Sequence, residues 1–194
     1  MTASEAHNKL SLQTQALLVL ACAIAYFYAY QLNLYWFAWI EFSPGANWIF
    51  IPSGLRLLLV LILARLGGIG IALSSMAVSY SFGDADAHVF NIVTGILSGA
   101  SPCIARFLAM KWLNLDPLLI NLTARDFFKF SLLFAGVNAL LHQLWFFWVD
   151  KTQDFLASTL AMGVGDWFGA VLVLATANLG IQLFKRLLDR KRHV

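Results

Sequence analysis

The sequence predicts an all-α polytopic membrane bundle of about six transmembrane helices, and three observations carry that prediction. Hydrophobic residues make up 60% of the 194-residue chain and charged residues 12%, about half the charged share of a soluble domain. The apolar residues fall in long runs of the length that crosses a hydrocarbon core, about 20 residues each. Short polar turns separate the runs, so residues 1–194 read as a single integral membrane domain with no room for a soluble one.

Residues 1–15 are polar, with Glu5, His7 and Lys9, and read as a short cytoplasmic head. The first helix is expected over Ala16–Trp39. Its Ala21, Ala25 and Ala29 form a small-residue stripe on which another helix packs, with packing inside the chain as its simplest use. Glu41 to Asn47 is a turn by its Pro44-Gly45 chemistry. The second helix is expected from Trp48 to about Ala64, interrupted near its start by Pro52-Ser53-Gly54 and carrying Arg56. A broken helix beside a charge is tolerated only where protein or a wet cavity surrounds it.

Arg65-Leu66-Gly67-Gly68 reads as a tight turn, with a third helix to about Tyr80 and a loop from Ser81 to His88. The fourth helix spans Val89–Trp112. Asn91, Gly95, Gly99, Pro102 and Arg106 lie along one of its faces, which is expected to pack inward, with Arg106 near the inner end. Asn114 to Asp126 is a polar linker with an interfacial turn at Asp116-Pro117. The fifth helix, Phe127–Val149, places Asn138, His142 and Trp145 on one face. The sixth runs over Leu156–Phe184 into a basic tail, residues 185–194, which reads as a topology determinant and lipid contact. Cys22 and Cys103 lie in different apolar runs, and no disulfide framework is expected.

Orientation follows from the basic residues. With six spans, Lys9, Arg65, Lys111, Arg125, Lys129, Lys185, Arg186, Arg190, Lys191 and Arg192 share one side and Lys151 alone lies opposite. Both termini are therefore expected in the cytoplasm. The opposite side carries Glu41, Asp84, Asp86, Asp150 and Asp154.

The most informative stretch is Gly163-Val164-Gly165-Asp166-Trp167-Phe168-Gly169-Ala170. No other apolar run carries a carboxylate so far from its ends. A charge in hydrocarbon costs at least about 2.5–3.5 kcal/mol, so such a group is expected to be paired and functional. Gly165 and Gly169 let another backbone approach the same helix. Counted along the helices at 1.5 Å per residue, Arg56, His142 and Asp166 all lie about 10–12 Å below the outer surface. Arg56 and Asp166 are therefore expected to form an ion pair, with His142 and Asn138 as polar partners.

The pocket expected there lies between the second, fifth and sixth helices. Its walls are expected from Trp36, Trp39, Trp48, Trp145 and Trp148. The candidate ligand-binding residues are Arg56, Asp166, His142, Asn138, Trp167 and Ser53, and protonation of His142 would make binding pH-dependent. A structural salt bridge under an ordinary aromatic belt is the plainer use of the same residues. Paired carboxylates, a Ser-His-Asp arrangement, a His/Cys cluster and a phosphate loop are all missing from the sequence. A non-enzymatic protein without cofactor, metal or nucleic acid is expected.

Four motifs in order resemble the first family of bacterial membrane-associated sensor (MASE-type) domains. They are Trp48-Ile49-Phe50-Ile51-Pro52-Ser53-Gly54, Ala105-Arg106, Arg125-Asp126-Phe127-Phe128-Lys129-Phe130 and Gly165-Asp166-Trp167-Phe168-Gly169, and the likeness covers about residues 45–180. The resemblance implies a sensing role in a bacterial inner membrane. Such domains usually form the membrane half of diguanylate cyclases and histidine kinases, with the last helix running into the catalytic part. Here the sequence stops at Val194, so the signal is expected to pass to a kinase, cyclase or regulator, or through a homo-oligomer. Where members often have two prolines this chain has Pro52 alone, and Arg56 stands where a small apolar residue is expected. A substrate-binding membrane subunit of a vitamin or metal transporter is the alternative, and a scaffold without ligand is a third.

Overall fold

The computed structural model describes residues 10–112, 114 and 123–192, and the fold is all-α. Among the described residues there are six α-helices: α1 (Leu12–Phe37), α2 (Pro52–Leu63), α3 (Arg65–Phe82), α4 (His88–Trp112), α5 (Ala124–Trp148) and α6 (Phe155–Arg192). A single 3₁₀ turn, Ala38–Ile40, leads from α1 into a two-stranded antiparallel hairpin, β1 (Glu41–Ser43) and β2 (Ala46–Asn47). Gly45 turns it with a φ of 77°, a conformation that a side chain disfavours. The head at residues 1–9 and the turn at Asp116-Pro117 lie outside the described residues.

Side-chain caps fix three helix starts. Ser11 Oγ accepts from Thr14 N at 3.2 Å, and Asp154 Oδ1 accepts from Ala157 N at 2.9 Å. Thr123 Oγ1 accepts from Asp126 N at 3.2 Å and donates back to the Asp126 carboxylate at 2.6 Å. Each satisfies amide groups that the first helical turn leaves without intrahelical acceptors.

Four segments are long and apolar enough to cross a membrane: Leu12–Ile40, His88–Trp112, Arg125–Trp148 and Phe155–Ala177. The two expected spans between the first and fourth helices take a different form. The chain stays non-helical from Trp48 to Phe50, and α2 has only 12 residues, about 18 Å of helix. At Ala64, with φ of 47°, the chain reverses directly into α3, whose 18 residues include Arg65 and four serines. The turn expected at Arg65–Gly68 is thus moved to Ala64, and those four residues open α3. The proline explains the late start of α2, because Pro is at home in the first helical turn and not further in.

This short helix is the centre of the bundle. It packs against α1, α3, α4 and α6, while α1–α3, α3–α4, α4–α5 and α5–α6 contacts close the rest around it. Lipid gives little hydrophobic drive for helix association, so close backbone approach carries more of the packing. Gly68 and Gly99 bring α3 and α4 together: a Cβ at Gly99 would run into the Gly68 carbonyl. Asn91, Gly95, Gly99 and Pro102 are all buried, as the sequence pattern predicts for α4, and Arg106 is half-buried.

Of the alanine stripe of α1, Ala21 and Ala25 are exposed and Ala29 is half-buried, whereas Cys22, Tyr26 and Asn33 carry the buried face. Polar side chains, rather than alanines, set which face turns inward here.

Candidate functional site

Asp166 stands in the middle of the apolar part of α6 and is 1% exposed. Its position is set by two glycines on α6. The segment Asn47–Ile51 runs across Gly165 and Gly169, and Phe50 N donates to the Gly165 carbonyl at 3.2 Å. Three side-chain bonds hold this extended segment. Asn47 Nδ2 donates to the Phe37 carbonyl at 2.8 Å, Asn47 Oδ1 accepts from Ile49 N at 3.0 Å, and Asn33 Oδ1 accepts from Ile51 N at 2.9 Å. Non-helical backbone at this depth is thereby satisfied by protein groups, as a membrane interior demands.

The segment delivers α2, and α2 delivers the base. Arg56 is 3% exposed, and its Nη2 lies 3.3 Å from Asp166 Oδ1. The expected pair is therefore a direct contact. Asn138 of α5 bridges it. Its Oδ1 accepts from Arg56 Nη1 at 3.0 Å and from Ser101 Oγ, and its Nδ2 donates to Asp166 Oδ2. Ser53 Oγ donates to the Asp166 backbone carbonyl. Four helices thus meet in one hydrogen-bonded cluster, which is what a low-dielectric interior requires of buried charges.

The guanidinium is also boxed by rings. Its Cζ lies 5.2 Å from the Phe50 ring centre, 5.8 Å from Tyr26 and 5.9 Å from Phe134, within cation–π range. Arg56 Nε has no hydrogen-bond partner among the described residues.

His142 sits beside the cluster and does not touch either charge. Its Nδ1 lies 2.9 Å from the Asn138 backbone oxygen and its Nε2 lies 3.1 Å from Ser98 Oγ. A carbonyl oxygen only accepts, so Nδ1 carries the proton, and the Ser98 hydroxyl can donate to Nε2.

A cavity of about 80 Å³ lies against the cluster, with Arg56, Asn138, His142 and Asp166 in its wall. Beyond it a vestibule of about 800 Å³ opens where the hairpin, Gly83 and Lys151 come together. Tyr30, Gly45, Val78, Ser79, Thr94 and Phe146 line both spaces and form the throat between them.

This arrangement differs from the sequence expectation in three respects. The pocket is not confined to α2, α5 and α6: Tyr26 and Tyr30 of α1, Ser75 of α3 and Ser98 of α4 also line it. Ser53 and Trp167 lie outside the lining. Ser53 acts on the Asp166 backbone, and Trp167 turns edge-on to Phe128 at 5.5 Å with its Nε1 unpartnered among the described residues. Finally, Trp36, Trp39, Trp48 and Trp148 are exposed on the bundle surface, where amphipathic rings suit the membrane interface. Trp145 alone turns inward, donating to Thr94 Oγ1 at 3.1 Å.

The lining residues that the sequence reading missed had a usable signal. Tyr26 shares the buried face of α1 with Cys22 and Asn33, and Ser98 shares the inward face of α4 with Asn91 and Gly95. Protein-family models, curated proteins and solved structures were all compared with this chain, and none matches.

Proposed function

We propose that this protein is a membrane-embedded ligand-binding sensor of a bacterial inner membrane, akin to the first family of membrane-associated sensor domains. The observation that carries this reading is the buried Arg56–Asn138–Asp166 cluster facing a cavity that widens into an open vestibule. A salt bridge serving stability alone needs no space beside it. Binding pockets combine apolar walls with a few convergent polar groups, and this one has both.

The proposed topology has six membrane passes and cytoplasmic termini, with the short α2 and α3 counted as the second and third. The segregation of ten Lys and Arg residues from Lys151 supports it. A ligand entering by the vestibule then comes from the outer side. A C-terminal reporter active only in the cytoplasm is the expected result, and a periplasmically active one refutes this topology.

The signal leaves through α6. Asp166 lies on this helix, which runs from Phe155 to Arg192, beyond the apolar span ending at Ala177. Movement of the ligand-contacting part is thereby coupled to a basic, cytoplasmic extension of the same rod. The recipient is a kinase, cyclase or regulator, or a second copy of the chain.

Transport is a second reading, favoured by one observation: the exposed Ala21 and Ala25 leave a small-residue face of α1 open to another membrane protein. Native purification in lipid followed by mass spectrometry separates the two. A sensor brings a signalling protein and a bound small molecule. A transport subunit brings a membrane coupling protein and ATPases, and an empty scaffold brings no ligand.

A further inference from the structure

We infer that the pocket selects an uncharged ligand, one with a small carbonyl-bearing head and a flat apolar body. The inference rests on the ligand-binding reading above and adds the chemical class.

The charge balance of the cavity comes first. Among the described residues that line it, Arg56 and Asp166 are the charged ones, and they neutralise each other at 3.3 Å. Asn138 ties both together, so neither is available as a counter-ion without breaking the cluster. His142 spends both ring nitrogens on Asn138 and Ser98. Even the vestibule carries one acid and one base, Glu41 and Lys151. A ligand bearing net charge would therefore leave water for a site that offers no uncompensated opposite charge, which strongly disfavours it.

The polar chemistry then sets the head group. Arg56 lines the cavity and uses one bond to Asn138 and one to Asp166, and its buried Nε–H lacks an acceptor among the described residues. Guanidinium is donor-only, so an acceptor without charge, a carbonyl oxygen, completes it. Hydroxyls of Tyr26, Ser75 and Ser98 line the same space, that of Ser98 being already engaged with His142. A cavity of about 80 Å³ admits only a small head, since a single water molecule already needs about 10–15 Å³ of such space.

The throat sets the body. Tyr30 and Phe146 line both the inner cavity and the vestibule. A flat ring beside either aromatic wall makes offset or edge contacts.

Benzamide, benzoate and benzylammonium share a ring and differ in head charge. Their binding to the full chain in lipid nanodiscs, read by saturation-transfer NMR, tests the inference. Ser79→Trp plugs the throat and identifies binding at this site. Benzamide is expected to bind at least tenfold more tightly than either ion, and Ser79→Trp is expected to abolish it. Asp166→Asn leaves Arg56 uncompensated and should reverse the preference towards benzoate. Arg56→Gln should turn it towards benzylammonium.

If either ion binds the unmodified protein as tightly as benzamide and Ser79→Trp blocks it, the uncharged class is wrong while the pocket stands. If no probe binds in a way that Ser79→Trp blocks, the ligand-binding reading itself fails. Should Asp166→Asn not fold, the order of the three probes on the unmodified chain and on Arg56→Gln still decides.

Discussion

Asp166→Asn is expected to cost about 3–5 kcal/mol of folding stability, and joint replacement by Arg56→Met and Asp166→Leu is expected to cost much less. The single change leaves a guanidinium that is 3% exposed without its carboxylate. The double change removes both charges and fills similar volume with apolar atoms. Asn138 keeps its bond from Ser101 in either case, so the comparison isolates the ion pair better than a change at Asn138 would. Reversible unfolding in bicelles, followed for both single variants and the double, gives the coupling directly. Equal losses in the single and double variants would mean that shape, and not charge compensation, makes Asp166 important.

This asymmetry also bears on function. A buried pair is seldom the cheapest way to hold helices together, since apolar substitutes of similar size often do as well. Here the pair draws α2, α5 and α6 to one point through Asn138 and Ser53, and does so at the wall of a cavity. Each member of that cluster bonds to a residue of another helix. On the proposed reading, a ligand that engages Arg56 acts on α6 through Asp166, without any need for a longer path.

What the sequence disclosed depended on how local each cause was. The apolar runs and the near-central carboxylate are local facts, and they led to an all-α membrane-type bundle and to the Arg56–Asp166 contact. Depth counting put His142 level with the pair, whereas it is Asn138, one turn away on the same face of α5, that joins the two charges, with His142 beside them. The centrality of α2 was not legible. Its length is limited by Pro52 at one end and by the reversal at Ala64 at the other, and alanine carries no mark of a positive φ. The hairpin's descent onto α6 was hidden as well, since it depends on Asn33 and Asn47 reaching across elements. The tryptophans misled because an aromatic side chain serves a membrane interface as readily as a pocket wall, and only packing told Trp145 apart from its exposed neighbours.

The glycines of α6 give the second large effect. Gly165→Val and Gly169→Val are each expected to abolish the folded state or to lower its stability by more than about 3 kcal/mol, the upper end of ordinary overpacking. At Gly165 a Cβ would fall on the carbonyl of Asn47, and at Gly169 on that of Phe50. Both obstacles are backbone atoms of a segment pinned by Asn33 and Asn47, so no rotamer change relieves them. Moving the segment would drag Pro52 and the start of α2 with it, and thus carry Arg56 away from Asp166. Loss of stability and loss of the pocket should therefore appear together. Gly136 and Gly163 supply the contrast within the same helix pair. A Cβ at Gly136 meets nothing within 4 Å, and one at Gly163 meets only Ala139 Cβ at 3.7 Å. Alanine there is expected to stabilise by up to about 1 kcal/mol, because glycine loses more backbone entropy on entering a helix. Unfolding of all four variants under one protocol checks the pattern. A Gly165→Val protein as stable as Gly136→Ala would show that α6 and the Asn47–Ile51 segment do not cross at these glycines.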